Sequence, residues 1–365
     1  MNRKKLFTAL LTAGILLVLT PLVLRMTATP APGAEPAPPD FFPVRNADTG
    51  QWGFIDAKGK LVIPMVFDWA GDFRHGRGLV EHDGKMGYID EAFKTQGDWA
   101  ISPRFVCRDE ADTPARGFAE GLALARDPET GRWGYLSTDG SWALEPTFAE
   151  SIYFPGLPPV GPFSDGLATI QTITVRPQNV LDADGKLVKD EEGNAVKQDQ
   201  PIERWGYIDT KGQVVIEAKF LGAQDFSEGL AGVRLRSHDR WGFINRSGRT
   251  VISPNFDGLG RFVDGLCPAK QGGLWGYIDP AGNWKIEPTF AEAGDFSEGL
   301  AAARRDQYWG YIDSAGNWAI PPRYDDGLGY GSAADPTPFE NGIARVTEEG
   351  QIKYITTRGE AVWPK

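Results

Sequence analysis

The sequence has 365 residues and a formal net charge of −11, and it is rich in glycine (45 residues), proline (27 residues) and aromatic residues (12%). The negative charge repels phosphate backbones, so nucleic acid is excluded as the expected ligand. A chain of this length forms either more than one compact core or an array of repeats in which each unit packs on its neighbours.

The first 40 residues have the composition of an export signal followed by a linker. Arg3, Lys4 and Lys5 precede an uncharged apolar run over residues 6–24, which is long enough for a helix that spans a bilayer. We predict an apolar helix within residues 1–26, either a cleaved signal peptide or a signal anchor, and a Pro/Ala-rich linker over residues 27–40. Both alternatives export the rest of the chain to the periplasm or the cell exterior, and the second anchors it in the inner membrane.

From residue 41 to residue 365 the chain repeats one motif, an aromatic residue followed by glycine. The unit cores lie near residues 52, 86, 133, 205, 241, 275, 309 and 352, and the commonest spacing is 34 residues, as from Trp275 to Trp309. We predict that the inter-unit core contains Trp52, Gly53, Trp133, Gly134, Trp205, Gly206, Trp241, Gly242, Trp275, Gly276, Trp309 and Gly310.

Each unit has four segments: Phe-x-x-Gly-Leu-Ala, WGYID, a turn that ends in glycine, and Ile-x-Pro followed by an aromatic residue. The alternation of apolar residues predicts three antiparallel strands, and Asp-x-x-Gly, as from Asp279 to Gly282, predicts the turn between the second and third strands. The proline is expected to end the third strand. The glycine after each tryptophan is expected where another backbone approaches closely or where a neighbouring unit's side chain fills the gap.

These residues resemble the WG-repeat (KWG-repeat) family of bacterial proteins. The resemblance covers residues 41–365, and Met86 and Ile352 depart from the tryptophan of the motif. The family is defined by the repeat alone, so the resemblance implies no shared activity and no catalytic residue.

We predict an all-β domain of about eight repeated three-stranded antiparallel meanders. The array begins with a strand of the first type (residues 41–45) and ends with one of the third type (residues 361–363). Closed rings usually combine the two chain ends in one sheet, so this arrangement favours an open curved array. The alternative is a closed eight-bladed propeller.

Insertions interrupt the array and form its expected variable surface. The longest, residues 174–204, lies between the first and second strands of the fourth unit, and its Asp184 and Gly185 predict the turn of a projecting hairpin. Shorter insertions are residues 107–117, 151–162 and 327–338.

Two groups of repeated side chains are candidates for ligand contacts. Trp142, Trp284 and Trp318 lie in the third strand and are the tryptophans most expected at the surface, where they could stack on a sugar. An acidic residue recurs in the Phe-x-x-Gly segment, at Glu120, Asp165, Glu228, Asp264 and Glu298. We expect each acid to form a turn or cap within its own segment rather than to bind a metal ion.

No catalytic, metal-binding or cofactor-binding residues are predicted, because the repeats contain none of the usual catalytic or nucleotide-binding motifs. The principal hypothesis is a non-enzymatic exported scaffold that binds another protein at the cell envelope. The alternatives are a module that binds envelope polysaccharide through exposed Trp and Tyr side chains, and a structural spacer. Membrane contact is expected only through the N-terminal segment, no nucleic acid is expected, and the oligomeric state is left open.

Overall fold

The computed structural model describes residues 41–363 except 47, 94–96, 107–114, 151–157, 183, 191, 236–239 and 326–335. The predicted signal or anchor (1–26), its apolar helix and the linker (27–40) lie outside the described residues. Within the described part of the chain, no helix is long and apolar enough to cross a membrane. Its regular elements are β-strands, which confirms the all-β class.

The strands form eight antiparallel sheets that follow one another along the chain. The first four sheets contain these strands: in sheet 1, β1 (Phe42–Arg45), β2 (Trp52–Ile55) and β3 (Leu61–Phe67); in sheet 2, β4 (Trp69–Arg74), β5 (Arg77–His82), β6 (Lys85–Ile89) and β7 (Trp99–Val106); in sheet 3, β8 (Ala115–Ala119), β9 (Leu122–Arg126), β10 (Trp133–Ser137) and β11 (Trp142–Phe148); in sheet 4, β12 (Leu167–Asn179), β13 (Lys197–Asp209) and β14 (Val214–Phe220).

The last four sheets repeat the same order. They contain these strands: in sheet 5, β15 (Gly222–Ala223), β16 (Leu230–Arg234), β17 (Trp241–Asn245) and β18 (Thr250–Phe256); in sheet 6, β19 (Gly258–Leu259), β20 (Cys267–Gln271), β21 (Leu274–Ile278) and β22 (Trp284–Phe290); in sheet 7, β23 (Glu292–Ser297), β24 (Leu300–Arg305), β25 (Tyr308–Asp313) and β26 (Trp318–Asp325); in sheet 8, β27 (Ile343–Glu348), β28 (Gln351–Thr356) and β29 (Ala361–Trp363).

Five of the eight sheets have four strands, so the prediction of three-stranded units is wrong for these five. The additional strand comes first in its sheet and ends within or just before the Phe-x-x-Gly segment. In sheet 7, Ala293 of this strand pairs with Ala303 of β24. The backbone N–H and C=O groups of this strand lie beside β24 and are satisfied by pairing with it.

In sheets 1, 2, 3, 5, 6 and 7 the last strand continues past its proline, contrary to the prediction. Pro288 lies inside β22, at a point where the pairing register with β21 shifts. Such a bulge accommodates a residue that has no N–H to donate. The bulge brings the backbone of β22 so close to Gly276 that an ideal Cβ there would lie 2.4 Å from Ile286 O. The close approach predicted at this glycine therefore comes from its own sheet.

The hydrophobic core lies between adjacent sheets. Tyr277 and Phe290 of sheet 6, for example, share one buried cluster with Phe296 and Ala301 of sheet 7. The predicted repeat-core residues are buried to different degrees. Trp133, Trp275, Trp309 and all six glycines (Gly53, Gly134, Gly206, Gly242, Gly276, Gly310) are buried, and Trp52, Trp205 and Trp241 are half-buried.

One recurring hydrogen bond joins consecutive sheets and also joins the last sheet to the first. The hydroxyl of Tyr277 donates to Gly294 O of sheet 7 over 2.9 Å, and that of Tyr311 donates to Thr337 O, ahead of sheet 8, over 2.9 Å. Tyr354 of sheet 8 donates in the same way to Pro43 O of sheet 1. Sheet 8 is therefore bonded to sheet 1 in the same way as sheet 6 is bonded to sheet 7.

A second recurring contact gives the same result. The turn glycine before the last strand packs on the outer strand of the preceding sheet, so that an ideal Cβ on Gly316 would lie 3.1 Å from Ile286. The turn glycine of sheet 1, Gly59, would bring its Cβ 3.1 Å from Val362 Cγ1 of sheet 8. The eight sheets therefore form a closed ring, an eight-bladed β-propeller, and the predicted open array is wrong. The ring closes by side-chain packing between sheets 8 and 1, with no exchange of strands.

Candidate functional site

Antiparallel pairing sorts the turns of the ring onto two faces. In a four-stranded sheet, the turn from first to second strand and the turn from third to fourth lie at one end. The turn from second to third strand and the connection to the next sheet lie at the other. The first end carries the Phe-x-acid-Gly segments and is named the acid-turn face, and the second is named the connection face.

The acid-turn face is built from tight two-residue turns. Both residues of the turn have positive φ, 52° at Glu228 and 77° at Gly229. The flanking residues Ser227 and Leu230 exchange both backbone hydrogen bonds. This geometry is that of the type I′ turn, which suits the twist of a hairpin and requires glycine or a tolerant polar residue.

The acids of these turns bind the next sheet, not their own segment as predicted. In four cases a carboxylate oxygen accepts the backbone N–H of the following turn's glycine, in these pairs: Glu120 with Gly166 (2.9 Å), Asp165 with Gly229 (2.7 Å), Glu228 with Gly265 (3.1 Å) and Glu298 with Gly342 (2.8 Å). A neighbouring serine forms a second hydrogen bond to the next sheet. Ser227 Oγ, for example, donates to Phe262 O over 2.6 Å. The acids are thus components of the ring's inter-sheet junctions.

The connection face carries the predicted hairpin. The strands β12 and β13 each have 13 residues and pair along their whole length, from Leu167–Asp209 to Asn179–Lys197. The corresponding strands of sheet 5 have five residues each, so the outer halves of β12 and β13 extend beyond the sheet. We name residues 174–204 the hairpin arm.

The tip of the hairpin arm contains two turns of the same form. Asp182 Oδ1 accepts the backbone N–H groups of Asp184 and Lys186, and Gly185 has φ 77°, which confirms the predicted turn. Asp190 Oδ1 accepts the backbone N–H groups of Glu192 and Asn194 in the same way. Two apolar side chains at the tip, Leu181 and Leu187, are 57% and 47% exposed.

The other predicted insertions join the last strand of one sheet to the next sheet. The described residues that flank 107–117, 151–162 and 327–338 therefore belong to the connection face. Most of these three insertions lies outside the described residues.

Trp142, Trp284 and Trp318 are half-buried and contact the preceding sheet. Trp284 and Trp318 pack edge-on against Phe256 and Phe290, with ring centroids 5.8 Å apart in both pairs. Trp142 packs against the buried cluster around Tyr88. The structure thus places these indoles at inter-sheet junctions, whereas a stacking platform requires an open ring face.

The sequence did not predict one concave site, a channel at the centre of the ring. The channel cavity has a volume of about 970 Å³ and is lined by residues of seven sheets, which include Pro43, Trp69, Phe118, Phe163, Asp225, Arg261 and Arg345. Many of these residues lie in or beside the first strands of the four-stranded sheets, which were not predicted. The position directly before each repeat phenylalanine could have pointed to the channel, because polar residues such as Asp72, Asp225, Arg261 and Asp295 recur there.

The walls of the channel differ in character. Sheets 2 to 4 contribute an apolar wall with Leu79, Leu122, Leu124, Val160 and Phe163. Charged side chains line the channel on these sheets as well as on the others, among them Arg74 of sheet 2, Glu120 of sheet 3 and Arg261 of sheet 6. Two ion pairs join sheets here: Arg74 with Glu340, and Arg261 Nε with Asp295 Oδ2 at 3.2 Å.

One exposed group of potential metal ligands lies outside the channel. The ligand atoms of Asp68, His82 and Asp83 lie within 4.8 Å of one another. Asp68 Oδ2 also accepts the N–H of Asp83 over 2.8 Å, and Asp257 and Asp325 cap Gly272 and Gly350 in the same way. The carboxylate of Asp68 is therefore explained by a cap that recurs around the ring.

Comparison with known proteins supports a repeat protein. A family model described as "WG containing repeat" matches residues 52–85, 133–172, 205–237, 241–275, 275–309 and 309–351. A search of curated protein sequences finds no match to the chain.

Solved structures with a similar outline have low sequence identity to this chain. BamB from Moraxella catarrhalis is 11% identical, with a TM-score of 0.42, and the match covers 87% of this chain and 94% of BamB. Dipeptidyl peptidase 4 from Porphyromonas gingivalis is 10% identical, with a TM-score of 0.45, and the match covers 90% of this chain and 58% of the peptidase. Hsv2p from Kluyveromyces lactis is 8% identical, with a TM-score of 0.39, and the match covers 77% of this chain and 89% of Hsv2p.

Proposed function

The chain belongs to the WG-repeat family, and from that premise we propose that it is a non-enzymatic, exported scaffold that binds another protein through the connection face. The observation that carries the proposal is the hairpin arm. Its strands are more than twice as long as their counterparts in sheet 5. A repeat array needs no such arm for its own packing, because each sheet buries its core against the two adjacent sheets.

The chemistry of the arm suits a protein partner. Leu181 and Leu187 are exposed at the tip beside charged residues such as Asp184 and Lys186. Apolar side chains within a polar rim are the usual composition of a protein–protein contact. A polysaccharide partner has less support, since Trp142, Trp284 and Trp318 are half-buried between sheets. Export is supported by the sequence of residues 1–26, and it places the partner at the cell envelope.

The test is affinity capture from envelope extract with the full-length protein as bait. The first variant carries Leu181→Ser and Leu187→Ser. The matched control carries Val214→Ser and Val215→Ser, which alter two apolar residues of β14 in the same sheet with similar exposure, 51% and 49%. We expect the control to retain a specific protein that the hairpin variant loses.

Three results would contradict the proposal. Equal capture by both variants would place the contact elsewhere on the ring. Capture of polysaccharide alone by all baits would favour a carbohydrate-binding module. Capture of nothing by the unaltered protein would favour a structural spacer.

A further inference from the structure

The junction between sheets 6 and 7 shows how the acid directly before a repeat phenylalanine can be satisfied. Asp295 lies directly before the repeat phenylalanine of sheet 7. Its Oδ1 accepts the backbone N–H of Arg261 over 2.8 Å, and its Oδ2 lies 3.2 Å from Arg261 Nε. The preceding Gly260 leaves room for this carboxylate, since an ideal Cβ there would lie 2.3 Å from Asp295 Oδ1. The acid thus has one backbone donor and one cation.

The junction between sheets 4 and 5 has the same geometry but lacks both partners. Asp225 occupies the position of Asp295, and Gly161 occupies that of Gly260. An ideal Cβ on Gly161 would lie 3.2 Å from Asp225 Oδ1 and 2.4 Å from the hydroxyl oxygen of Thr169. The residue in the place of Arg261 is Pro162. Proline has no N–H to donate and carries no charge. Within the described part of the chain, the Asp225 carboxylate has no hydrogen-bond or ion-pair partner.

The charged and titratable groups around Asp225 do not replace the missing partners. The phenols of Tyr135 and Tyr207 face it from sheets 3 and 4, but they donate to Gly161 O and Gln224 O. Arg261 on sheet 6 lowers the pKa of the Asp225 carboxyl, while burial, the larger effect, raises it. The guanidinium of Arg261 is itself bound to Asp295.

The channel offers space and apolar contacts beside this carboxylate. Asp225 lines the cavity of about 970 Å³ together with Leu122, Leu124 and Val160 of the apolar wall. This volume is that of a cavity that holds a small organic molecule, and such sites combine a mainly apolar wall with a few polar groups. A partly buried carboxylate without a partner favours a ligand that brings the opposite charge.

We propose that the central channel is a binding site for a small organic amine, with the Asp225 carboxylate as its ammonium-binding group and the side chains of sheets 3 and 4 as the contact surface for its apolar body. The site exists because residue 162 is proline. Proline supplies neither the N–H nor the positive charge that Arg261 supplies at the equivalent junction.

The experiment is isothermal titration calorimetry of the full-length protein with two probes of similar shape and opposite charge, phenethylammonium and phenylacetate. We expect phenethylammonium to bind and phenylacetate to bind at least tenfold more weakly. The affinity for phenethylammonium should fall as the pH is lowered through the pKa of Asp225, because protonation removes the negative charge. No binding of phenethylammonium, or stronger binding of phenylacetate, would overturn the proposal.

Two variants locate the site, and they act in different ways. Asp225→Asn removes the charge, and Pro162→Arg supplies the N–H and the guanidinium that Asp295 receives from Arg261. Each variant should weaken phenethylammonium binding at least tenfold, whereas Asp184→Asn on the hairpin arm should leave it unchanged. If one channel variant fails to fold, the other decides. Unaltered binding in a folded channel variant would overturn the proposal.

Discussion

At the scale of single residues, the WG motif requires glycine because a Cβ atom at this position would collide with the backbone of the last strand. The bulge of the last strand presses its backbone onto this position in each repeat-core pair, and an ideal Cβ on Gly310 would lie 2.5 Å from Ile320 O. The sequence predicted a close approach here from the glycine alone. It could not identify the approaching group, because the bulge also forms in sheet 4, where Ala218 stands in place of the proline, so no residue type of the last strand marks it.

The first prediction compares two glycines of sheet 7. Gly310→Ala should lower the free energy of unfolding by about 1–3 kcal/mol, since Cβ has no space and the backbone of β26 must move. Gly294→Ala is the matched control, because the nearest atom to its ideal Cβ is at an ordinary 3.7 Å, and it should change stability by less than about 1 kcal/mol. Urea unfolding measures both, and equal losses would contradict this explanation of the motif.

The aspartate of the WGYID segment has a role that depends on pH. Asp313 Oδ1 accepts the backbone N–H groups of Ala315 and Asn317 at 3.0 and 2.9 Å, and these bonds, with that to Asn317 the stronger influence, hold the pKa of the carboxyl below its usual value. A lowered folded pKa stabilises the fold above the unfolded pKa of about 3.9 and loses this contribution as the pH falls through the folded value.

The second prediction follows from the natural variation at this position. Sheet 5 has Asn245 in place of the aspartate, and its Oδ1 accepts the same two bonds at 3.1 Å. Asp313→Asn should therefore retain the turn but not its pH dependence. The stability advantage of the unaltered protein over the variant should shrink as the pH is lowered from 5 to 2. Urea unfolding at several pH values measures this difference, and a difference that stays constant would contradict the assigned role.

At the scale of elements, the sequence predicted the strands that carry the repeated motif and missed the first strand of each four-stranded sheet. WGYID and Phe-x-x-Gly-Leu-Ala alternate, so they indicate strands. The missed strands begin with unrelated residues, as at Trp69 and Ala115, and two of them have only two residues, as in Gly222–Ala223. These strands form because they pair with the neighbouring strand, and no local sequence pattern indicates them.

The acid turns show the same limit at their side chains. Asp, Asn and Glu before glycine correctly predicted turns. The predicted bonds within the same segment are wrong for four of these acids, because each carboxylate extends to the glycine N–H of the next turn. The next turn lies one repeat away in sequence, so only the three-dimensional stacking of the sheets brings the two together.

The third prediction tests these inter-sheet bonds through the serine of the turn. Ser227→Ala removes the donor to Phe262 O and should cost about 1 kcal/mol. Sheet 3 has Ala119 at the equivalent position, so alanine is compatible with the turn, and Ala119→Ser should be neutral or stabilising. Thermal unfolding measures both variants. No change for Ser227→Ala would show that the serine bond does not contribute to the junction.

At the scale of the whole molecule, the ring is made of junctions of one kind, including the junction between its ends. Phe42, Val44 and Ile55 of sheet 1 share a buried cluster with Ile343, Tyr354 and Val362 of sheet 8. The order of strands at the chain ends favoured an open array, because it shows no strand shared between the first and last units. The sequence could not show that the ring closes without a shared strand, since the residues that close it are those of every other junction.

The most direct test of the closed ring is a cysteine cross-link between its first and last sheets, in a background where Cys107 and Cys267 are replaced by alanine. Gly59→Cys with Val362→Cys joins sheets 1 and 8. Gly316→Cys with Ile286→Cys is the control between consecutive sheets, because both glycines have positive φ, 78° and 85°, and both ideal Cβ atoms lie 3.1 Å from a side-chain carbon of the partner. The ideal Cβ of Gly59 also lies 2.7 Å from Val362 O, so the backbone of β29 must shift slightly in the first pair. A disulfide requires Cβ atoms within about 4.5 Å.

Oxidation followed by electrophoresis without reductant measures the two cross-links. The closed ring predicts that both pairs form an intramolecular disulfide to a similar extent. Formation of the control disulfide without the disulfide between residues 59 and 362 would contradict ring closure and would restore the open array.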